Sequence, residues 1–592
     1  MSLRKRPVSS DSALAKEDPV CAKEESTPPK SASPSWIFLG ALGLSALVFF
    51  ASSSSTGGLT NYSAPYVLCS SEPSKVYTVD AKNSQTQCIL IDNGYIAKTG
   101  TLEEVQGHWT TNVTGSSRPK LQIRYTPPGS IIVPGLSDAH AHLLEYGASR
   151  ELALEGTKDI QETVTRVKQY ILAHPEIQMN TSTYVLGGGW DHTVWPTTRW
   201  PTAADLDSDP VLRGRPIILQ SKDCHALWVS PKVVEMNFPF PDAVEGGIIF
   251  RDEYGQPNGM FLDNAQDIIF QPALTDDDLM RRFSIAVQDA VAVGLTSVHD
   301  AGLNPMSLKF FTKLAELKKL PIRIYGMTFF DENAEYWGNQ TKPKIDPENR
   351  LTARSVKIFA DGALRTSGAA LYEPYADDST TTGAMRITPE VLHKFLPLFL
   401  RDGWQVNVHA IGDRANGIVL DVFEASLKGI NISASRPRLE HAQIITQADR
   451  ERLGKLGVIA SIQPTHAISD MWYAQDRLGP ERIKNLYAFR SIIDSGARIA
   501  MGSDFPVESP NPLFWILRCY YASFCGWKIT SRPWRMVPGG ASQPPRSSQR
   551  DDHRPGIRVL HGVDIMTIGA DQVLATKVIA TVIDGTPVYG RF

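Results

Sequence analysis

Two histidines separated by one residue, His140 and His142, follow the apolar run Ile131-Ile-Val-Pro-Gly135. Neutral imidazole is the commonest metal ligand in proteins and suits zinc, and two such groups just past a strand can converge on one ion. Three more polar residues close apolar runs of the same kind. His409 ends Gln405-Val-Asn-Val-His409, His441 ends Pro437-Arg-Leu-Glu-His441, and Asp504 ends Met501-Gly-Ser-Asp504. Each histidine alone is more often a packed, hydrogen-bonded side chain, but four on one face of a barrel read as a ligand set. Asp504 can ligate metal and also accept a proton from water; its bland role is to cap a turn. Lys357 lies in Ser355-Val-Lys-Ile-Phe-Ala-Asp361. A charged amine among Val, Ile and Phe is costly to bury, so its pKa should fall and open it to covalent modification. Carboxylation by carbon dioxide would make it an anionic bridge between two metals. The alternative is a lysine that snorkels or pairs with Asp361.

Side chains so far apart in sequence need a scaffold that brings strand ends together. Strand patterns alternate with helical stretches through the centre of the chain, which predicts an α/β architecture. Candidate strands fall at 130–138, 296–300, 322–327, 355–361, 405–409, 438–441, 458–463 and 498–504. Eight is the number a closed (β/α)8 TIM barrel needs, and the C-terminal ends of its strands carry the active site. Two further strand-like runs, 184–189 and 216–220, assign roughly 150–275 to an insertion in a barrel spanning 130–512. Short strands from Val76, Cys88 and Tyr95 have a counterpart in Lys577-Val-Ile-Ala-Thr-Val-Ile583, which precedes an Asp584-Gly585 turn. Residues 75–129 and 564–592 are therefore expected to form one small β domain from both chain ends.

Five segments together resemble the amidohydrolase-3 (YtcJ-like) family of the amidohydrolase superfamily. They are Pro134-Gly-Leu-Ser-Asp-Ala-His-Ala-His142, Val356-Lys-Ile-Phe-Ala-Asp-Gly362, Val408-His-Ala-Ile-Gly-Asp413, Leu439-Glu-His-Ala-Gln443 and Gly502-Ser-Asp-Phe-Pro506. Gly189-Trp-Asp191 and Asp223-Cys-His-Ala-Leu-Trp-Val-Ser230 are similar to that family's insertion. The resemblance implies a TIM barrel with a small β-sandwich, and a metal-dependent hydrolase acting on a non-peptide, amide-like carbon–nitrogen bond of a small molecule. N-substituted formamide deformylases belong to the same branch. It further implies His140 and His142 on the more buried metal, His409 and His441 on the second, carboxylated Lys357 between two zinc ions, and Asp504 as ligand and general base. Trp190, Asp191 and His225 would line the substrate pocket. The pattern breaks after Pro512. Residues 518–560 are polar, rich in Pro and Arg and without periodicity, so 513–563 is expected to be atypical or disordered. That break supports a rival reading, a catalytically impaired, membrane-tethered barrel that binds or signals.

The composition is that of a globular protein: 592 residues, 42% hydrophobic and 21% charged, with a net charge of -3. The small net charge and the lack of basic runs give no sign of a nucleic-acid partner. Residues 1–34 are rich in Ser, Pro, Lys and Glu and read as a disordered tail. Residues 36–51 are uncharged and apolar, and at ~1.5 Å per residue they span roughly 24 Å, close to a ~30 Å hydrocarbon core. The expectation is a transmembrane helix at 35–51 and a stalk at 52–74. The rival is a cleaved signal peptide, since small Ala and Ser residues follow at 51–55. Arg4, Lys5, Arg6 and Lys30 precede the segment, and no Lys or Arg follows before Lys75. The positive-inside rule then puts the N-terminus in the cytosol and the body in the lumen or outside the cell. Sequons at Asn61, Asn112, Asn180, Asn339 and Asn431 agree with that topology. Cys69 and Cys88 are the candidate disulfide in an oxidising compartment, with unpaired thiols as the alternative. Assembly is open, with a homodimer as the candidate.

Overall fold

A computed structural model describes residues 64–515 apart from 81, 113–119, 198, 347 and 349, together with Leu517 and residues 556–561 and 570–592. The expected tail, the apolar segment 36–51 and most of the stalk lie outside the described residues, as do 518–555 and 562–569. Among the described residues no helix is long and apolar enough to cross a membrane.

Eight parallel strands form the central sheet. They are β1 (Leu136–Ala141), β2 (Leu295–Leu303), β3 (Arg323–Phe329), β4 (Leu351–Phe359), β5 (Gln405–Ala410), β6 (Arg438–His441), β7 (Ile459–Ile462) and β8 (Ile499–Met501), paired in sequence order. Residues of β4 to β7 such as Val356, Ile358, Val406, Val408, Leu439 and Ala460 share one apolar core with the helices Pro389–Arg401 and Asp413–Ser426. That is why these strands are short β-branched runs buried on both faces. No strand ladder joins β8 to β1. The seam is closed instead by Asp504 N donating to His140 O at 2.7 Å and His142 N donating to Phe505 O at 2.8 Å. The Asp138 carboxylate completes it by accepting Ser503 N at 3.1 Å and Ser503 Oγ at 2.6 Å.

The expected first strand, 130–138, divides in two. Ile131–Pro134 pairs with Gly556–His561 and belongs to a six-stranded sheet that also holds Lys577–Ile583 and Thr586–Gly590. Only the segment after Gly135 enters the barrel. The expected stalk also gives way at its end, because Tyr66–Cys69 is a fully buried strand of a four-stranded sheet. The two sheets face each other through Tyr66, Leu68, Ile89 and Ile91 on one side and Val76, Ile132, Ala580 and Val582 on the other. Gly556–His561, placed in the atypical stretch by its composition, is thus a strand that bonds both chain ends into one sheet. Cys69 and Cys88 are direct cross-strand partners and form a disulfide.

Between β1 and β2 the insertion builds its own five-stranded sheet from Val185–Trp190, Ile217–Ser221, Ala226–Val229, Gly247–Arg251 and Pro257–Asp263. Trp190, Trp228, Leu219 and Leu262 pack there against Val164, Val167 and Ile171 of the helix Ile160–Ala173.

The helix that starts beyond His142, Leu143–Glu151, lies against Asp276–Ala292 so closely that a Cβ at Gly147 would fall 2.2 Å from the Arg282 carbonyl oxygen. Overpacking of this kind costs about 1–3 kcal/mol. Gly147→Ala should therefore lower the midpoint of chemical unfolding. An unchanged midpoint would mean that the two helices can separate without cost.

Candidate metal centre and active site

The C-terminal ends of the barrel strands gather five imidazoles and one amine. His140 lies in β1 and His142 follows it, Lys357 is in β4, His409 in β5, His441 ends β6, and His466 follows β7. Asp504 comes three residues after β8. Ring centroids are 5.6 Å apart for His140 and His142, 4.7 Å for His140 and His441, 4.3 Å for His409 and His441, and 6.2 Å for His441 and His466. Asp504 sits among them. Its Oδ1 is 3.3 Å from His142 Nε2 and 3.5 Å from His140 Nε2, while its Oδ2 is 3.8 Å from His466 Nε2 and 3.9 Å from His441 Nδ1. Lys357 Nζ stands 3.3 Å from His140 Nε2 and 4.4 Å above the Phe359 ring.

The six expected ligands therefore share one cluster. Among the described residues, His140, His441 and Asp504 offer donor atoms that all lie within 4.8 Å of one another. Backbone strain holds part of the set in place: His441 and Asp504 have φ of 71° and 61°, a left-handed conformation that few non-glycine residues adopt without functional cause. Gly502 leaves the necessary room, since a Cβ there would lie 2.6 Å from His140 N.

Donor chemistry fits divalent cations. Both ring nitrogens of His409, Nδ1 of His441 and Nε2 of His466 are buried with no hydrogen-bond partner. Buried polar atoms left without a partner are costly, so four at one point mark a site made for a ligand. Burial drives His140 down to about 4 and His409 and His441 well below the ordinary imidazole value, which keeps their lone pairs free. Burial also lowers Lys357 to about 8. Burial alone would raise the Asp504 carboxyl, but His140 and His142 outweigh it and hold it in the ionised form.

Glu440 was not legible as a site residue, although it stands beside His441. Its Oε2 accepts His140 Nδ1 at 2.6 Å, which fixes the tautomer and leaves Nε2 facing the cluster. Arg438 holds the carboxylate in turn, with Nη2 donating to Oε2 at 3.1 Å and Nε lying 2.7 Å from Oε1 out of hydrogen-bond alignment. His466 was missed too. Its signal was present in Gln463-Pro-Thr-His466, a polar group just past a barrel strand, as His142 is.

A pocket opens beside the cluster, lined by His441, His466, Gln443 and Asp504 from the barrel, Arg365, Asp470 and Tyr473 from its loops, and Asp223 and His225 from the insertion. His225 lines it, oriented by Asp263, whose Oδ1 accepts Nδ1–H at 2.6 Å. Trp190 is not among the lining residues. Its indole is fully buried in the insertion core, donates to Leu219 O at 2.9 Å and packs against Trp195, Trp200 and Trp228. The family resemblance had placed Trp190 at the pocket, but its side chain turns into the insertion core. Asp191 stands one layer behind the wall, paired with Arg365. Asp300 and Asp361 serve the backbone: Asp300 accepts Leu143 N, and Asp361 accepts the amides of Ala370, Ile411 and Gly412.

A model of the Amidohydrolase family (Amidohydro_3) matches residues 128–520. The chain belongs to this family. It is 29% identical to YtcJ of Bacillus subtilis (strain 168) over 74% of its own length and 81% of that protein's. It is 27% identical to the N-substituted formamide deformylase of Arthrobacter pascens, over 74% of this chain and 81% of that one. An uncharacterized metal-dependent hydrolase from Pyrococcus horikoshii OT3 shares the fold with a TM-score of 0.60 and 25% identity, covering 78% of this chain and 88% of that one. Family membership makes this amidohydrolase a hydrolase with a divalent metal and a small-molecule substrate.

The carboxylate behind His140 gives the first test of the centre. Orienting partners of this kind are worth roughly 10–100-fold in metal affinity. Glu440→Gln should weaken metal binding by that factor in a chelator competition, with the fold kept because Arg438 still donates to Ala139 O and Ser461 Oγ. Equal affinity in the two proteins would show that His140 needs no orienting partner.

Proposed function

We propose that the protein hydrolyses a carbon–nitrogen bond in a small, non-peptide amide. The observation that carries this is the grouping of four orphaned imidazole nitrogens around an ionised Asp504 at the mouth of a barrel. The deformylase among its relatives acts on a bond of this class.

In this reading His140, His142 and Asp504 would hold one cation and His409 and His441 a second. Lys357, carboxylated on Nζ by carbon dioxide with release of one proton, would add an anionic ligand. Its burial and its depressed amine support that modification. Zinc suits the nitrogen-rich donor set. Bound there, the cations supply Lewis acidity toward a carbonyl oxygen and acidify a water. The protein's own part is proton traffic and position. Asp504 Oδ2, the oxygen less engaged by His140 and His142, takes the proton of the attacking water and returns it to the leaving nitrogen. Asp504 is fixed through its backbone, its N donating to His140 O at 2.7 Å. His225 and Asp191 complete the substrate side, one on the pocket surface and one through Arg365. Trp190 supports that side only through the insertion core.

Asp504→Asn keeps the shape and an oxygen for metal but cannot take the proton. It should lose roughly 10²–10⁴-fold in kcat toward an N-formyl or N-acyl amine. About two metal ions per chain are expected in wild type, with most of them kept in the variant. Near-normal turnover in Asp504→Asn would remove the general-base role, and a metal-free wild type would favour the binding-protein alternative.

We further propose that the body lies in the lumen or outside the cell, tethered by residues 36–51. The Cys69–Cys88 disulfide and the exposed positions of Asn180, Asn339 and Asn431 support this. Glycosidase treatment of protein from a eukaryotic host should then increase its gel mobility. An unshifted band would place the body in the cytosol.

A further inference from the structure

Asp223 lines the pocket, and the proposed chemistry gives it no role. It follows the strand Ile217–Ser221 of the insertion and is 8% exposed. Its Oδ1 is committed to the hairpin, accepting Ser221 Oγ at 2.6 Å and His225 N at 3.2 Å. Its Oδ2 is buried and has no hydrogen-bond partner. Among the described residues no Lys, Arg or His nitrogen forms an ion pair with it. The nearby cation of the pocket wall is already engaged: Arg365 pairs with Asp191 and, at 3.4 Å, with Asp470. Asp470 is held in turn by the hydroxyls of Tyr473 and Tyr487. The lining carboxylates Asp223 and Asp470 thus share the pocket with Arg365, whose guanidinium Asp470 and, from behind the wall, Asp191 already engage. A buried carboxylate oxygen without a donor is expensive unless something fills the place of the donor. The pocket is the side from which that donor can come, because Asp223 lines it.

We propose that Asp223 is the specificity residue of this pocket, its Oδ2 accepting a charged N–H from the substrate. The preferred substrate class is then an N-acylated amine that carries a second, basic nitrogen apart from the scissile amide. The ligand cluster draws the carbonyl oxygen, and the Asp223 wall draws the cationic nitrogen, so one molecule of this class is aligned by both. The inference rests on the amide-hydrolase reading for its kinetic arm and stands without it for its binding arm.

The test compares two substrates on metal-loaded protein: a mono-N-formylated short diamine and the N-formyl alkylamine of equal chain length. A charge-assisted hydrogen bond is worth roughly 10–100-fold. Wild type should prefer the cationic substrate by that factor in kcat/KM, mainly through KM. Asp223→Asn should bring the ratio to about one. Asn retains the Oδ1 acceptor for Ser221 and His225, so the hairpin is preserved, and melting temperature and metal content verify this. A ratio near one in wild type, or the same preference in Asp223→Asn, overturns the proposal. Should wild type cleave neither substrate, the hydrolase reading fails, and calorimetry with the free diamine decides on Asp223 alone. Binding at least ~10-fold tighter to wild type than to Asp223→Asn upholds it, and equal binding ends it. If the variant does not fold, the wild-type preference for the cationic partner remains the deciding measurement.

Discussion

Closure of the barrel between its first and last strands is the constraint on which the site depends. The seam has no regular ladder. It is made from backbone bonds at His140, His142, Asp504 and Phe505, plus the Asp138–Ser503 pair. The residues that close the barrel are thus the residues that bind at its mouth, or their direct neighbours. Closing an eight-stranded sheet fixes strand tilt and stagger together, so the positions of β1 and β8 are not free to drift. Asp504 is set against His140 and His142 by the same bonds that complete the fold. The left-handed backbone at His441 and Asp504 is the cost, and the surrounding packing sustains it.

Desolvation then decides the chemistry that this geometry allows. Every member of the cluster except His142 is nearly or fully buried. For a histidine or lysine that favours the neutral, electron-pair-donating form, and for a carboxylate it favours protonation. Asp138 and Asp361 follow burial and rise to about 7, because mainly neutral donors surround them. Asp504 and Glu440 go the other way, since His140, His142 and Arg438 face them. Four buried acids within the same strand ends therefore separate into two that hold backbone and two that stay ionised. The separation comes from neighbours, not from depth.

Much of this was legible in the sequence, and the gaps have physical reasons. Most barrel strands announced themselves as short apolar runs ending in a polar residue, as expected of a strand buried on both faces and open at one end. The six ligand candidates were found through that pattern, and the structure brings them together. Glu440 was not, because a carboxylate next to a histidine looks the same whether it orients that histidine, another one or none. It reaches across the barrel to His140, a contact that only closure creates. The division of 130–138 was hidden because its two halves are equally apolar, and only pairing partners tell them apart. Gly556–His561 was hidden by composition: the polar stretch before it masked a short strand, one of whose two partners lies over four hundred residues away in Ile131–Pro134. Trp190 was placed by resemblance, and a motif match does not say which way a side chain turns; here it packs into the insertion core.

The insertion changes how the pocket should be understood. A barrel mouth alone offers metal ligands and water, which gives reactivity without selection. The insertion supplies His225 and Asp223, and Asp191 at its edge grips Arg365 of the barrel loop. Arg365 also reaches Asp470 beyond β7, so a single guanidinium ties the insertion to the far side of the barrel. Its planar fork can serve two carboxylates at once, which a lysine ammonium does less well. Because that tie is buried, breaking it would leave an unpaired charge in the wall. The relative position of the barrel mouth and the insertion is therefore set by an ion-pair network as well as by apolar packing. Under the proposed function, a change in substrate preference can arise in the insertion strands without disturbing the strand ends of the barrel.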